Sequence, residues 1–171
     1  MELRDYIRDI PDFPTPGIMF RDITPLLKDV AAFRAAVDRL VEYCEPLQLD
    51  AIVGIESRGF LLASPLAYCI GAPLIPIRKK GRLPFETHTE SYDLEYGDDA
   101  LQVHTDAISE GQRVIIIDDL LATGGSAGAG VKLITSLGAN VVSIAVLVEL
   151  TFLCGRATLP AGLDVFSMVQ Y

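Results

Sequence analysis

Apolar residues recur at helical spacing in one part of the chain and run together without a period in others. From Asp29, a good N-cap, Val30, Phe33, Val37, Leu40, Val41 and Cys44 follow one another three or four positions apart, which predicts a helix through about Tyr43 with one buried face. Ala51–Ile55, Leu74–Ile77 and Val114–Ile117 are continuous apolar runs, the mark of parallel strands covered on both faces. Helices are expected over Gly59–Ile70 and Ser126–Leu137, with a fourth strand over Val141–Val148. Strands and helices alternating in this way predict a doubly wound α/β fold, a mainly parallel sheet flanked by helices.

Two regions depart from that alternation. Ile10–Gly17 holds three prolines and a glycine, which no helix tolerates, so a rigid surface loop is expected. In Glu90–Thr105, Leu94, Tyr96, Leu101 and Val103 alternate loosely around Gly97-Asp98-Asp99, suggesting an antiparallel hairpin that projects from the sheet as a candidate lid. No repeat or linker divides the 171 residues, so residues 1–171 are expected to form a single domain, with 1–28 as an N-terminal cover and about 79–105 as a flexible lid region.

Composition narrows the partners. The formal net charge of -9 argues against a nucleic-acid binder, which needs a broad basic excess, so an anionic ligand has to be gripped locally. Cys44, Cys69 and Cys154 are odd in number and far apart, as expected of reduced thiols in the core of a cytoplasmic protein. Met1–Ile10 carries five charges, and the apolar region Leu61–Ile77 is interrupted by Pro65, Gly71, Pro73 and Pro76. Neither export nor membrane insertion is expected.

The segment richest in chemistry is Val114–Ser126, where an apolar strand ends in Asp118 and Asp119 and passes through Leu120-Leu121-Ala122-Thr123-Gly124-Gly125-Ser126 into a helix. Ligands of open α/β sheets sit beyond the carboxyl ends of strands, where these acids emerge. Gly124 and Gly125 allow backbone N–H groups close to a ligand, Thr123 and Ser126 add hydroxyls, and the helix adds its positive end, a combination suited to phosphate. Carboxylates repel phosphate, so the pair has to face another part of the same ligand. A sugar diol donating charge-assisted hydrogen bonds meets that need. No Lys follows a Gly-x-x-x-x-Gly frame and no Gly-x-Gly-x-x-Gly occurs, which sets aside the P-loop and classical dinucleotide frames.

This segment resembles the phosphoribosyl pyrophosphate signature of the type I phosphoribosyltransferases. Phe13–Thr24, Glu56–Phe60, Arg78–Pro84 and Ser91–Gly97 extend the resemblance over nearly the whole chain and narrow it to the adenine phosphoribosyltransferases. The resemblance implies that Ala122, Thr123, Gly124, Gly125 and Ser126 hold the 5-phosphate. It gives Asp118 and Asp119 the ribose hydroxyls, and Ser57, Arg58 and Gly59 the pyrophosphate, with Arg58 also assisting catalysis. Arg78 and Lys79 match positions that reach pyrophosphate, in part across a dimer interface. Phe20 matches the residue that packs on the base under an N-terminal hood, and the backbone at Met19 and Arg21 matches the part that reads its edge. Glu95 and Tyr96 match the catalytic pair of the mobile loop. Ser126 stands where Thr is usual, keeping the hydroxyl and the expected helix cap. The chain begins close to the hood, which is expected to loosen the cover over the base or alter the dimer edge.

The implied reaction joins adenine to 5-phosphoribosyl 1-pyrophosphate (PRPP), giving AMP and pyrophosphate for purine salvage in a cytoplasmic homodimer. Mg²⁺ is expected to be held mainly through PRPP oxygens rather than by a protein cage. The alternatives are a transferase for another base and a regulatory protein that senses PRPP.

Overall fold

The computed structural model describes residues 1–94 and 97–171. An N-terminal arm pairs β1 (Arg8–Ile10) antiparallel with β2 (Phe20–Asp22) across the proline-rich loop. The Asp22 carboxylate then accepts from the Thr24 N–H at 2.9 Å and the Thr24 hydroxyl at 2.8 Å, launching α1 (Thr24–Lys28), which has Pro25 in its first turn. Asp29 caps α2 (Val30–Cys44) by accepting from the Ala32 N–H at 2.9 Å. The buried stripe of α2 runs through Ala32, Ala36, Val37, Leu40 and Cys44, whereas Val30, counted with the apolar face in sequence, is exposed in the first turn.

The core continues as β3 (Ala51–Ile55), α3 (Gly59–Ile70), β4 (Leu74–Lys79), β5 (Thr87–Leu94), β6 (Gly97–His104), β7 (Arg113–Leu121), α4 (Gly125–Ser136), β8 (Asn140–Glu149) and β9 (Asp164–Gln170). Seven strands form one sheet in the order β5-β6-β4-β3-β7-β8-β9, parallel from β4 to β9. Successive residues of β3 and β7 serve opposite cores. Val53, Val114 and Ile116 pack on the α4 side, and Ile52, Ile115 and Ile117 on the side of α2 and α3. That division explains why these strands read as unbroken apolar runs.

Three expectations change. β4 is covered on one face only, since Ile75 and Ile77 are buried while Leu74 and Pro76 are exposed. The reason is that α3 packs chiefly over β3 and β7. Gly97-Asp98-Asp99 opens β6 rather than forming the turn. The hairpin also joins the sheet edge instead of merely projecting, because β6 pairs with β4 through Arg78↔Gln102 and Lys79↔Leu101, with Leu101 and Val103 in the core. The sequence reading passed over the arm strands and β9. β9 is an edge strand whose Asp164-Val-Phe-Ser-Met-Val-Gln170 order mixes polar and apolar positions.

From β3 the chain winds through α3 to β4, while from β7 it winds the opposite way through α4 to β8. The strand order therefore reverses between β3 and β7, the place where open α/β sheets bind ligands. No helix among the described residues is long and apolar enough to cross a membrane.

Candidate active site

At that reversal, the chain leaving β3 (Glu56, Ser57, Arg58) faces Asp118 and Asp119 of β7 across a cleft that Lys79, Tyr92 and Ser126 also line. Gly59 begins α3 in close contact with β7. A side chain there would meet Ile117 O at 2.7 Å and Asp118 Cα at 3.1 Å, so glycine lets the helix mouth reach the acids.

Asp118 and Asp119 are 8 % and 5 % exposed, and the Asp119 N–H donates to Asp118 Oδ1 at 2.8 Å. Burial pushes both carboxyls up. Asp118 is held well above the usual carboxylate range, with the Asp119 charge adding to burial, while Arg58 opposes the rise at Asp119. Arg58 Nε lies 2.7 Å from Asp119 Oδ2, and its guanidinium sits 5.1 Å from the centre of the Phe20 ring. An arginine opening a helix opposes the dipole. In this structure Asp119 supplies a negative partner for it.

A second cavity shares Tyr92 with the first and is lined by Thr123, Gly124, Gly125, Lys132 and Thr158. The cap of α4 is Gly124, at φ +88°, with no side-chain cap bond. Ser126 lies inside the helix and its hydroxyl is not the cap that the sequence suggested. Positive φ and open backbone N–H groups at a helix mouth are chemically suited to an anion such as phosphate.

The arm closes the other side. Phe13 and Phe20 meet edge to face at 5.1 Å. Arg21 pairs with Asp9 and lies 3.7 Å from the centre of the Tyr171 ring, which Arg4 also approaches at 4.3 Å. Arg21 Nε is buried without a hydrogen-bond partner among the described residues. Met19 is exposed.

Residues 23–152 match the family model described as the phosphoribosyl transferase domain. The chain belongs to the phosphoribosyltransferase family. It is 55 % identical to the adenine phosphoribosyltransferase of Roseiflexus sp. (strain RS-1) over 169 residues, covering 99 % of this chain and 98 % of that protein. The crystal structure of adenine phosphoribosyltransferase from Thermoanaerobacter pseudethanolicus superposes with a TM-score of 0.96 at 51 % identity, over 99 % of this chain and 98 % of that one. The Saccharomyces cerevisiae enzyme, complexed with D-2,5-dideoxy-2,5-imino-altritol 1,6-bisphosphate and adenine, gives 0.92 at 39 % identity, over 98 % and 96 %.

Within this phosphoribosyltransferase, Ser57, Arg58, Lys79, Asp118, Asp119 and Ser126 converge on one cleft, and Thr123, Gly124 and Gly125 on its neighbour. The Ala122 carbonyl lies against Gly155. Arg78 holds the cleft residue Glu56, donating through Nε and Nη2 at 3.2 and 3.0 Å, and donates through Nη1 to Arg82 O at 3.1 Å. Glu95 and Tyr96 lie outside the described residues. Among the described residues, no group of three or more His, Cys, Asp or Glu side chains gathers around a common point.

The sequence reading assigned no role to Glu56, Tyr92, Asp99, Thr158 or Tyr171. The Glu56 carboxyl is held below the usual range by Arg78 and accepts the Lys79 N–H at 2.8 Å, so it ties the ends of β3 and β4 together. Because Ile55 pairs with Ile77, an acid and a base immediately beyond matched strands were its readable signal. Asp99 holds Lys79 Nζ at 3.0 Å and accepts from the Tyr92 hydroxyl at 3.1 Å. Burial and the Asp99 charge push the Tyr92 phenol up to about 12, keeping it a donor.

Proposed function

We propose that the chain is an adenine phosphoribosyltransferase, converting adenine and PRPP to AMP and pyrophosphate in purine salvage. The observation that carries this reading is the buried Asp118–Asp119 pair at the strand-order reversal, beside the glycine mouth of α4. One ligand with a diol and a phosphate satisfies both features.

In this reading Thr123, Gly124, Gly125 and Ser126, with the Ala122 backbone shaping the loop, take the 5-phosphate, while Asp118 and Asp119 accept from the ribose hydroxyls. Ser57 and the α3 mouth at Gly59 hold the pyrophosphate, joined by Arg58 and Lys79, with Arg78 orienting the strand end through Glu56. As the bond to pyrophosphate breaks, positive charge grows on the ribose and negative charge on the leaving group. Asp118 and Asp119 stabilise the former, and Arg58, released from Asp119, stabilises the latter.

Adenine stacks on Phe20, and the backbone at Met19 and Arg21 reads its edge. N9 of adenine takes the anomeric carbon as pyrophosphate departs and gives up its proton, for which Glu95 is the proposed acceptor, with Tyr96 next to it in sequence. Closure of the outer part of the 79–105 region over the hood, residues 1–28, while Leu101 and Val103 stay in the core, keeps water from the ribosyl cation.

The donor set fits Mg²⁺ held chiefly through PRPP oxygens. Asp118 and Asp119 are hard oxygen donors sharing one guanidinium between two crowded carboxyls, so a dication is electrostatically favoured at their lip. When bound, the ion supplies charge neutralisation for the leaving group.

The assembly is a cytoplasmic homodimer. Support comes from exposed Leu61 and Tyr68, one face of α3, beside Leu74 on the uncovered face of β4, an apolar surface of the kind subunits cover. Tyr68→Asp is expected to leave a monomer in sedimentation.

The test of function is a panel of adenine, guanine, hypoxanthine, xanthine and orotate with PRPP and Mg²⁺, read as pyrophosphate release. Turnover with adenine at least 100-fold above the others is the expected result. Equal turnover with another base, or PRPP binding without transfer to any base, rejects the reading.

A further inference from the structure

Against the glycine loop, with Thr158 at the wall of the second cavity, lies a tight turn from a distant part of the chain. Gly155–Thr158 follows β8 as a single turn of 3-10 helix. Its Thr158 hydroxyl reaches two carbonyls, Thr123 O at 3.1 Å and Gly155 O at 2.9 Å. A Cβ on Gly124 would collide with Thr158 Oγ1 and Gly155 O, and one on Gly155 would collide with Ala122 O and sit 3.1 Å from Gly124 N. Two glycines thus let two backbones touch. Each is required by the other strand of the contact rather than by a ligand.

The turn is itself fastened. Arg156 donates to both Glu149 oxygens at 2.6 Å and to Ser167 at 3.2 Å. Glu149 also accepts from Ser167 and Gln170, at 2.7 and 3.3 Å. Leu159, just beyond, is buried in the main core. The turn is therefore bolted to the ends of β8 and β9, and the Ala122–Gly124 backbone leans on it.

We infer that Gly155–Thr158 is the mould that sets the shape of the phosphate loop, and that Thr158 is a positioning residue for 5-phosphate binding. A hydroxyl has one proton, and that of Thr158 is shared between Gly155 O at 2.9 Å and Thr123 O at 3.1 Å. Its part is to fix the Thr123 carbonyl outward, so that the following N–H groups point into the cradle, not to donate to phosphate itself. The inference rests on the phosphate-binding reading of the loop, but not on which base is used.

The experiment compares Thr158→Val, which keeps the shape and removes the hydroxyl, with Thr158→Ser, which keeps the hydroxyl. Ribose 5-phosphate binding by calorimetry and the separate KM values for PRPP and adenine are measured in the full chain. Thr158→Val is expected to weaken ribose 5-phosphate and raise the PRPP KM about five- to tenfold, the scale of one lost hydrogen bond, leaving the adenine KM within about twofold. Thr158→Ser is expected to restore both phosphate-side values. Gly155→Ala, if it folds, shifts the same two quantities further. A valine variant that binds ribose 5-phosphate as the parent does, or loses affinity for both substrates alike, overturns the inference. A parent that binds ribose 5-phosphate in a Thr158-dependent way but makes no AMP leaves it standing while the assigned reaction falls.

Discussion

The two sides of the cleft are built to different standards. The side assigned to the sugar-phosphate is the end of buried parallel strands, with Asp118 paired to Val146 and Leu120 to Val148 in the ladder, and its glycine loop is braced by the Gly155–Thr158 turn. The side assigned to the base is a two-stranded arm whose aromatic residues, Phe13 and Phe20, are fixed by each other and by arginines lying against Tyr171 and Phe20. Where charge must be held still while a bond breaks, rigidity has catalytic value. Where a flat, neutral ring must enter and leave, a thin cover packed on a few side chains suffices. Arg58 touches both sides, pairing with Asp119 and facing Phe20.

If that division is sound, variants on the two sides change different kinetic constants. Replacing Asp118 and Asp119 together with Ala is expected to lower kcat/KM for PRPP by about 10³-fold or more, measured by initial rates of pyrophosphate release with the adenine KM little changed. Arg58→Ala should cost about 10²–10³-fold and, alone among these, disturb both KM values. An effect confined to one substrate would erase its bridging role. Phe20→Ala is expected to raise the adenine KM about tenfold, the scale of a lost base–aromatic stack, with the PRPP KM within about twofold. A larger change for PRPP would break the comparison.

Smaller effects concern stability. Glu149→Ala removes the acceptor shared by Arg156, Ser167 and Gln170. Discounted for the half-exposed arginine, it should cost about 1–2 kcal/mol in chemical denaturation. Asp118→Asn works in the opposite direction. Because the folded state raises the carboxyl well above its ordinary value, chiefly through burial, the native protein binds that proton more tightly than the unfolded chain. The contribution is full below the ordinary carboxylate range and is lost as pH rises through the elevated folded value. The substrate-free asparagine variant is therefore expected to melt about 2–4 °C above the parent at neutral pH, the shift of ~1 kcal/mol in a chain of this size, with the gain vanishing in acid. An unchanged melting temperature at neutral pH would contradict the burial cost assigned to the acids.

Legibility followed the same divide. Val114–Ile117 announced a strand because both faces are buried, and the acids, glycines and helix that follow announced an anion site by residue type alone. The arm offered no such period, since β1 and β2 are three residues each, too short for alternation to register. Its relation to a base came only from resemblance. Contacts between distant segments were least visible. Thr158 on Thr123, Tyr171 under Arg21 and Asp99 on Lys79 join residues 35, 150 and 20 positions apart, and each looks unremarkable in its own stretch of sequence. The misjudged hairpin turn has a local cause, because Gly97-Asp98-Asp99 has the composition of a turn while cross-strand pairing places it in a strand.

β7 continues past its acids to Leu121 without leaving the ladder. An inserted or deleted residue there would slip the register and turn each acid to the face the other now holds, so this strand has almost no room for innovation. A designer wanting a transferase for a different ring should leave β7 alone and rebuild the arm, where replacement costs the scaffold little.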